Sequence, residues 1–196
     1  MGELEQRILS HLQGRLSKKR LTHTLATAQT AALLASRFGY DPHKAYVTGL
    51  LHDCMREENL QNLLLFASKS DIIIRNEEKQ SVSLLHAPAS ALLARQAFGA
   101  DEEMFWAIRW HTLGKEDMTT AEKICWLADY IEPNRTHEGV EEVRQLAETD
   151  LDGALLRAMT QSLRHLRETG APLCEQTVKA WEFLRNTMKN GAKEKS

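Results

Sequence analysis

From Arg20 to Phe38 the apolar residues fall at Leu21, Leu25, Ala28, Ala32, Ala35 and Phe38. Steps of three and four place them on one face of an amphipathic helix, and Gly39 ends it. Asp41-Pro42 then has the chemistry of an N-cap followed by proline at the first helical position. This second helix is expected to run through Ala45, Tyr46 and Val47 into Leu50-Leu51-His52-Asp53. A third is expected over Glu57–Ser68. Asp71-Ile72-Ile73-Ile74-Arg75 has the composition of a short strand, but a lone strand finds no pairing partner here. The stretch Ser70–Val82 is therefore expected to be a loop or a distorted helical turn. Helical spacing returns over Leu84–Phe98 and stops at Gly99. Asp101 caps a helix through Met104, Phe105, Ile108 and Trp110 to His111, closed by Gly114. Thr119-Thr120-Ala121-Glu122 has the spacing of a capping box and opens a helix to Ile131-Glu132, stopped by Pro133. Further helices are predicted at 140–148, 151–168 and 172–188, and the tail 191–196 is expected to fray. There is no repeat, low-complexity tract or clear linker. The pattern predicts an all-α fold, a single-domain bundle of about eight to ten helices over residues 1–190.

Composition agrees. Apolar residues make up 42% and charged residues 27% of the 196, enough for a sizeable core and incompatible with wholesale disorder. Only 4 Pro and 10 Gly leave few breakers. Lys plus Arg (25) and Asp plus Glu (27) nearly cancel, which argues against non-specific binding to nucleic acid or to an anionic membrane. The three cysteines, Cys54, Cys125 and Cys174, are widely spaced and form no CxxC, so neither a disulfide framework nor a zinc ribbon is expected, and a reducing compartment is. Met1-Gly2-Glu3-Leu4-Glu5-Gln6 lacks the basic start and apolar stretch of a signal peptide. No apolar run approaches the length of a membrane span. The expected location is the cytoplasm.

The chemistry is concentrated in the histidines. His23, His52, His86 and His111 fall inside or at the ends of helices whose faces should point inward, and His52 is followed directly by Asp53. Asp129 sits in the apolar helix Ile124-Cys125-Trp126-Leu127-Ala128-Asp129-Tyr130-Ile131, where an ionised carboxylate needs a partner. Imidazole and carboxylate together suit divalent Fe, Mn, Zn or Co, and bundles build such sites from facing helices. Neighbouring helix positions differ by about 100°, so of His52 and Asp53 one can serve a single metal while the other reaches between two. A lone histidine on an apolar face is more often a hydrogen-bonded core residue; the recurrence on successive helices favours ligands. His11, His43, His137 and His165 lie outside the pattern and read as surface groups. Trp106, Trp110, Trp126 and Trp181 read as core rather than as base-stacking platforms. Arg20, one turn before His23, Arg56, one turn beyond Asp53, and Arg135, after the Asp129 helix, are candidates to meet phosphate with their forked donors. Thr112, beside His111, could donate to a phosphate oxygen.

The order His23, His52-Asp53, His86, His111, Asp129 resembles the HD-domain metal-dependent phosphohydrolases. Arg20-Leu21-Thr22-His23-Thr24-Leu25, Gly49-Leu50-Leu51-His52-Asp53, Leu85-His86-Ala87-Pro88, His111-Thr112-Leu113-Gly114 and Leu127-Ala128-Asp129-Tyr130-Ile131-Glu132-Pro133-Asn134-Arg135 are similar to the YqeK family within them, bacterial symmetrical diadenosine tetraphosphate hydrolases with a di-iron centre. The likeness covers about Ile8 to Met188. It implies that His23, His52, Asp53 and Asp129 hold a first metal, and that Asp53 bridges to a second held by His86 and His111. It further implies a bridging hydroxide that attacks an inner phosphate, so that diadenosine tetraphosphate (Ap4A) is split into two ADP. Two divalent transition metal ions are implied, with iron indicated by the family and Mn, Co or Zn open to the same donors. Asp53 and Arg56 are the implied catalytic residues; Arg56 stands where the family often has lysine, and guanidinium differs from ammonium in reach and geometry. Ala87 and Leu113 replace a more usual glycine and threonine. The alternatives are an HD phosphohydrolase of a mononucleotide or cyclic dinucleotide, and a non-catalytic nucleotide-sensing module. A homodimer is compatible with a bundle of this size, although no heptad seam is visible.

Overall fold

The structure is a computed structural model that describes residues 2–70 and 72–193. Among them are ten α-helices and no strand: α1 (Glu3–Gln13), α2 (Lys18–Arg37), α3 (Pro42–Leu51), α4 (Leu60–Ala67), α5 (Val82–Phe98), α6 (Glu102–Trp110), α7 (Thr120–Ile131), α8 (Val140–Leu146), α9 (Leu151–Thr169) and α10 (Glu175–Lys193). The all-α expectation and the helix count hold. No helix among these residues is long and apolar enough to cross a membrane.

The predicted caps are the ones the chain uses. Asp41 accepts from the N–H groups of His43 and Lys44 ahead of Pro42, Asp101 accepts from Met104, and Thr119 and Glu122 close a reciprocal capping box. Gly99 ends α5 with φ +70°, a left-handed conformation that costs a glycine little. Other boundaries differ. α1 was not among the predicted helices, although Leu4, Ile8 and Leu12 repeat every fourth residue and the last two are fully buried. α4 begins at Leu60 rather than Glu57 because Asn59 caps it, its side chain accepting from Asn62. The Ile72–Arg75 stretch is irregular and leads into a single 3-10 turn, Glu78–Gln80, as the loop expectation required; Asp71 lies outside the described residues. α10 continues past Met188 to Lys193, so the expected fraying tail is shorter than predicted, and 194–196 lie outside the described residues.

The core has two main clusters. One gathers α1, α3, α5 and α6 around Ile8, Leu50, Leu51, Leu85 and Ile108. The other gathers the second half of α2 with α7, α9 and α10 around Leu34, Ile124, Leu127, Leu155 and Met159. α2 and α3 pack closely: a Cβ on Gly49 would lie 2.6 Å from the Cα of Ala28, so only a glycine lets the two backbones meet there. Five helices, α2, α3, α5, α6 and α7, pack against one another between these clusters. α2, α5, α6 and α7 each carry or lead into one candidate ligand, and α3 leads into two, His52 and Asp53.

Candidate metal centre

His23 lies on α2, His86 on α5 and Asp129 in the last turn of α7, while His111 is the C-cap of α6. His52 and Asp53 are not inside a helix, as their spacing had suggested. α3 ends at Leu51 and the two residues stand in the turns that follow. There Cys54 N–H donates to Leu51 O and Arg56 N–H to Asp53 O, which tightens the chain into successive turns. Met55 N–H donates to Ser90 Oγ at 3.1 Å and ties the turn to α5.

The six predicted ligands converge. His23, His52, Asp53, His86 and His111 are all buried, and Asp129 is partly buried. The two oxygens of Asp53 face different neighbours. Its Oδ2 lies 3.7 Å from His23 Nε2 and 3.5 Å from His52 Nε2. Its Oδ1 lies 2.9 Å from His86 Nε2 and 3.7 Å from His111 Nε2. Asp129 joins the first side, with Oδ1 3.0 Å from His23 Nε2 and 4.0 Å from His52 Nε2. Two overlapping groups, His23–His52–Asp129 and His52–Asp53–His111, have donor atoms close enough to share an ion.

Proton positions follow from the partners of the other ring nitrogen. His52 Nδ1 lies 2.7 Å from Gly49 O, His86 Nδ1 3.1 Å from Val82 O and His111 Nδ1 2.7 Å from Ile108 O. A carbonyl only accepts, so each Nδ1 carries the proton and donates it, and each neutral ring turns its Nε2 lone pair inward. His23 Nδ1 meets Glu132 Oε1 at 3.1 Å in the same way. The inward nitrogens then lack donors. His23 Nε2 and His52 Nε2 are buried with no hydrogen bond among the described residues, and His86 Nε2 faces His111 Nε2 at 3.1 Å. Lone pairs directed at one another and at carboxylate oxygens are a donor set for cations, with carbonyls and a carboxylate orienting the rings from behind. The residues fit a pair of divalent metals.

Burial and neighbouring charge act differently on the groups of the cluster. Burial holds His52 below its ordinary value, and burial with His52 and His86 nearby pushes His111 down to about 3. Burial also acts against charge on His23, but Asp129 and Glu132 outweigh it and raise its pKa. For Asp53 burial favours the neutral acid, and the surrounding imidazoles overcome it and hold the carboxyl well below its usual range. Asp129 is held low as well, burial being outweighed by His23, His52 and Arg135. The two carboxylates are thus held ionised, and His52 and His111 neutral, the forms metals bind, while the raised value of His23 reflects its two carboxylate neighbours.

Arg20 and Arg135 lie at the edge of this cluster. Arg20 Nη1 donates to Asp53 Oδ2 at 2.9 Å, and Arg135 donates to Asp129 O at 2.9 Å and to Asp129 Oδ1 at 2.5 Å. Both line a cavity of about 570 Å³, with His23, Lys19, Asn134 and Glu132 also in its wall. Thr112 lines a second cavity of about 340 Å³, and its hydroxyl is buried without a partner. Arg56 stands apart: it is partly buried, lines neither cavity, and its side chain makes no hydrogen bond among the described residues.

Residues 20–134 match the HD domain family. The chain belongs to the HD domain family. All six His and Asp residues of the cluster lie inside the matched segment. The chain is similar to the symmetrical bis(5'-nucleosyl)-tetraphosphatase of Halalkalibacterium halodurans, 37% identical over 174 residues that cover 86% of this chain and 90% of the relative. It is equally similar to the Bacillus subtilis protein of the same name, 36% identical over 181 residues covering 90% and 95%. In three dimensions it matches a crystal structure described as a predicted HD superfamily hydrolase involved in NAD metabolism from Clostridium acetobutylicum, with a TM-score of 0.89, 33% identity, and 93% of this chain and 97% of that one covered. HD domains bind divalent metals, and this HD domain has the His and Asp groups to do so.

Several features of this HD domain had not been predicted. Glu132, buried behind His23, also accepts from Asn134 through both its backbone N–H and its side-chain amide. Its position one turn after Asp129 was the available signal, since i and i+3 share a face. The fully buried pair Arg109–Glu78 had none, because Glu77-Glu78-Lys79 reads as a solvated charge run. Two expectations fail. His11 is half-buried, edge-on to Phe98 at 5.3 Å, rather than a surface group. Trp106 is 38% exposed and donates to Glu102 rather than filling the core.

Proposed function

We propose that this chain is a symmetrical bis(5'-nucleosyl)-tetraphosphatase that hydrolyses Ap4A at its central phosphoanhydride to two ADP. The observation that carries the chemistry is the division of Asp53: one oxygen faces His23 and His52, the other His86 and His111. A carboxylate divided in this way would help hold two cations, with Asp129 joining His23 and His52 on the first side. The substrate comes from the relatives, which bear that name over nearly their whole length.

Divalent cations held by His23, His52, Asp53, His86, His111 and Asp129 would supply Lewis acidity toward a phosphoryl oxygen and would acidify water. Iron is the metal proposed from the family likeness, and the same donors accept Mn, Co or Zn. The chain supplies the rest. Arg20 uses one guanidinium nitrogen on Asp53, and Arg135 uses two on Asp129. The remaining forked donors are free to meet phosphate oxygens. Lys19, Arg20 and Arg135 place three positive charges in the wall of the larger cavity, where a polyanion would lie. Glu132 holds His23 in the tautomer that presents Nε2. The cytoplasm is the compartment we propose, three widely spaced cysteines with no CxxC being ordinary in a reducing environment.

The test is a chromatographic product assay on Ap4A with and without chelator, alongside metal quantification. ADP as sole product, two metals per chain and loss of turnover with chelator are expected. ATP plus AMP, or turnover of a nucleoside monophosphate with Ap4A untouched, overturns the reading.

A further inference from the structure

We propose that the smaller cavity is a nucleoside seat, taking the purine of one half of the dinucleotide while the other half lies in the larger, polar cavity. This rests on the tetraphosphatase reading. A central cut requires the two inner phosphates to lie over the metal cluster, so the two nucleosides must leave it in different directions. The structure offers two directions. The larger cavity reaches the cluster beside His23 and Glu132. The smaller one reaches it beside His111 and Asp129. They share Arg135 and His137 as a common wall.

The two linings differ in kind. The larger cavity is lined by Ser17, Lys19, Arg20, Asn134 and Thr136, with no aromatic ring other than histidine. The smaller contains Trp126 and Tyr130, one turn apart on α7, with rings stacked at 5.5 Å and 18°. The His137 ring lies 4.4 Å from Tyr130 and is held there by its Nε2 contact with Tyr130 O. Flat rings side by side suit a flat aromatic ligand. At about 340 Å³ the space falls in the range of small-molecule sites, about 300–1,000 Å³.

A second observation is independent of shape. Trp126 is 6% exposed, and its indole N–H has no acceptor among the described residues. The Thr112 hydroxyl in the same lining also has none. An indole N–H only donates, and buried donors in native proteins are rarely left unpaired. Two such groups in one wall call for a ligand rich in acceptors, which a purine ring with its ribose and phosphate oxygens is. Trp126 therefore belongs to the core, as predicted, and also lends its polar edge to the site.

The experiment counts bound product. Equilibrium dialysis of ADP against the metal-loaded protein should give two equivalents per chain, and one after Ser162→Trp, which fills the smaller cavity from α9. Trp126→Phe, which keeps an aromatic ring at the position and removes the indole N–H, should raise KM for Ap4A about tenfold, the scale of one lost hydrogen bond, with metal content unchanged. ADP stoichiometry and KM that are the same in both variants as in the wild type overturn the seat. Absence of ADP formation from Ap4A by the wild type overturns the tetraphosphatase reading instead.

Discussion

Two groups of buried charge lie close together in this HD domain and have opposite character. In one, Arg109 Nη1 and Nη2 donate to the two oxygens of Glu78 at 2.6 and 2.9 Å, and Ile73 O takes a further bond at 3.3 Å. Donors and acceptors match, and nothing is left over. In the other, four imidazoles face two carboxylates, and His23 Nε2 and His52 Nε2 have no hydrogen-bond partner among the described residues. The first arrangement is complete in itself and needs no ligand. The second is completed only from outside. Self-sufficient buried polarity marks structure, and unfinished buried polarity marks function. The two are also linked. Arg109 lies two residues before His111, and Glu78 sits in the 3-10 turn that leads into α5 and His86. The ion pair thus joins the elements that carry His86 and His111, the two histidines proposed for the second metal.

The largest effect should come from the group the two cations share. Asp53→Ala should lose at least one metal equivalent and lower Ap4A hydrolysis by more than about a hundredfold. Unchanged turnover would remove the bridging role. The self-contained pair should respond differently. Arg109→Ala should cost about 3–5 kcal/mol in denaturant unfolding, because Glu78 is left as an uncompensated buried charge. Replacing both partners with apolar residues, Arg109→Met with Glu78→Leu, should recover most of that loss. A double variant as unstable as the single one would show that the pair is more than a stable brace. Glu132→Gln retains the shape behind His23 and removes the charge. Metal affinity should fall about 10–100-fold with little change in melting temperature, as read by titration with a metal-sensitive dye. The smallest effect belongs to charge on the surface. Arg157–Glu142, with both side chains about half exposed, should be worth less than about 1 kcal/mol when Arg157→Ala breaks it.

The same contrast explains what could be read from the residues alone. Helices, caps and inward-facing histidines follow from local spacing, and α2, α6 and α7 lie where periodicity places them. The ligand set was legible because each member sits in or directly beside an apolar helical run, where polarity needs a reason. His52 and Asp53 were assigned to a helix because Leu50-Leu51 continues the pattern. The tie from Met55 to Ser90, thirty-five residues away, ends it, and no local signal reports so distant a contact. Glu78 is the same case in stronger form, since its partner lies thirty-one residues on. Asn59 was missed for a nearer reason: Glu57 and Glu58 look equally suited to a first helical turn.

Gly49 has no side chain to place in any site, yet it governs one. The absence of a Cβ lets α3 lie against Ala28, and so fixes how far His23 on one helix stands from Asp53 just past the other. It acts as a calliper. A single added methyl would wedge the jaws open, and the span available to an ion would widen before any liganding atom had been altered.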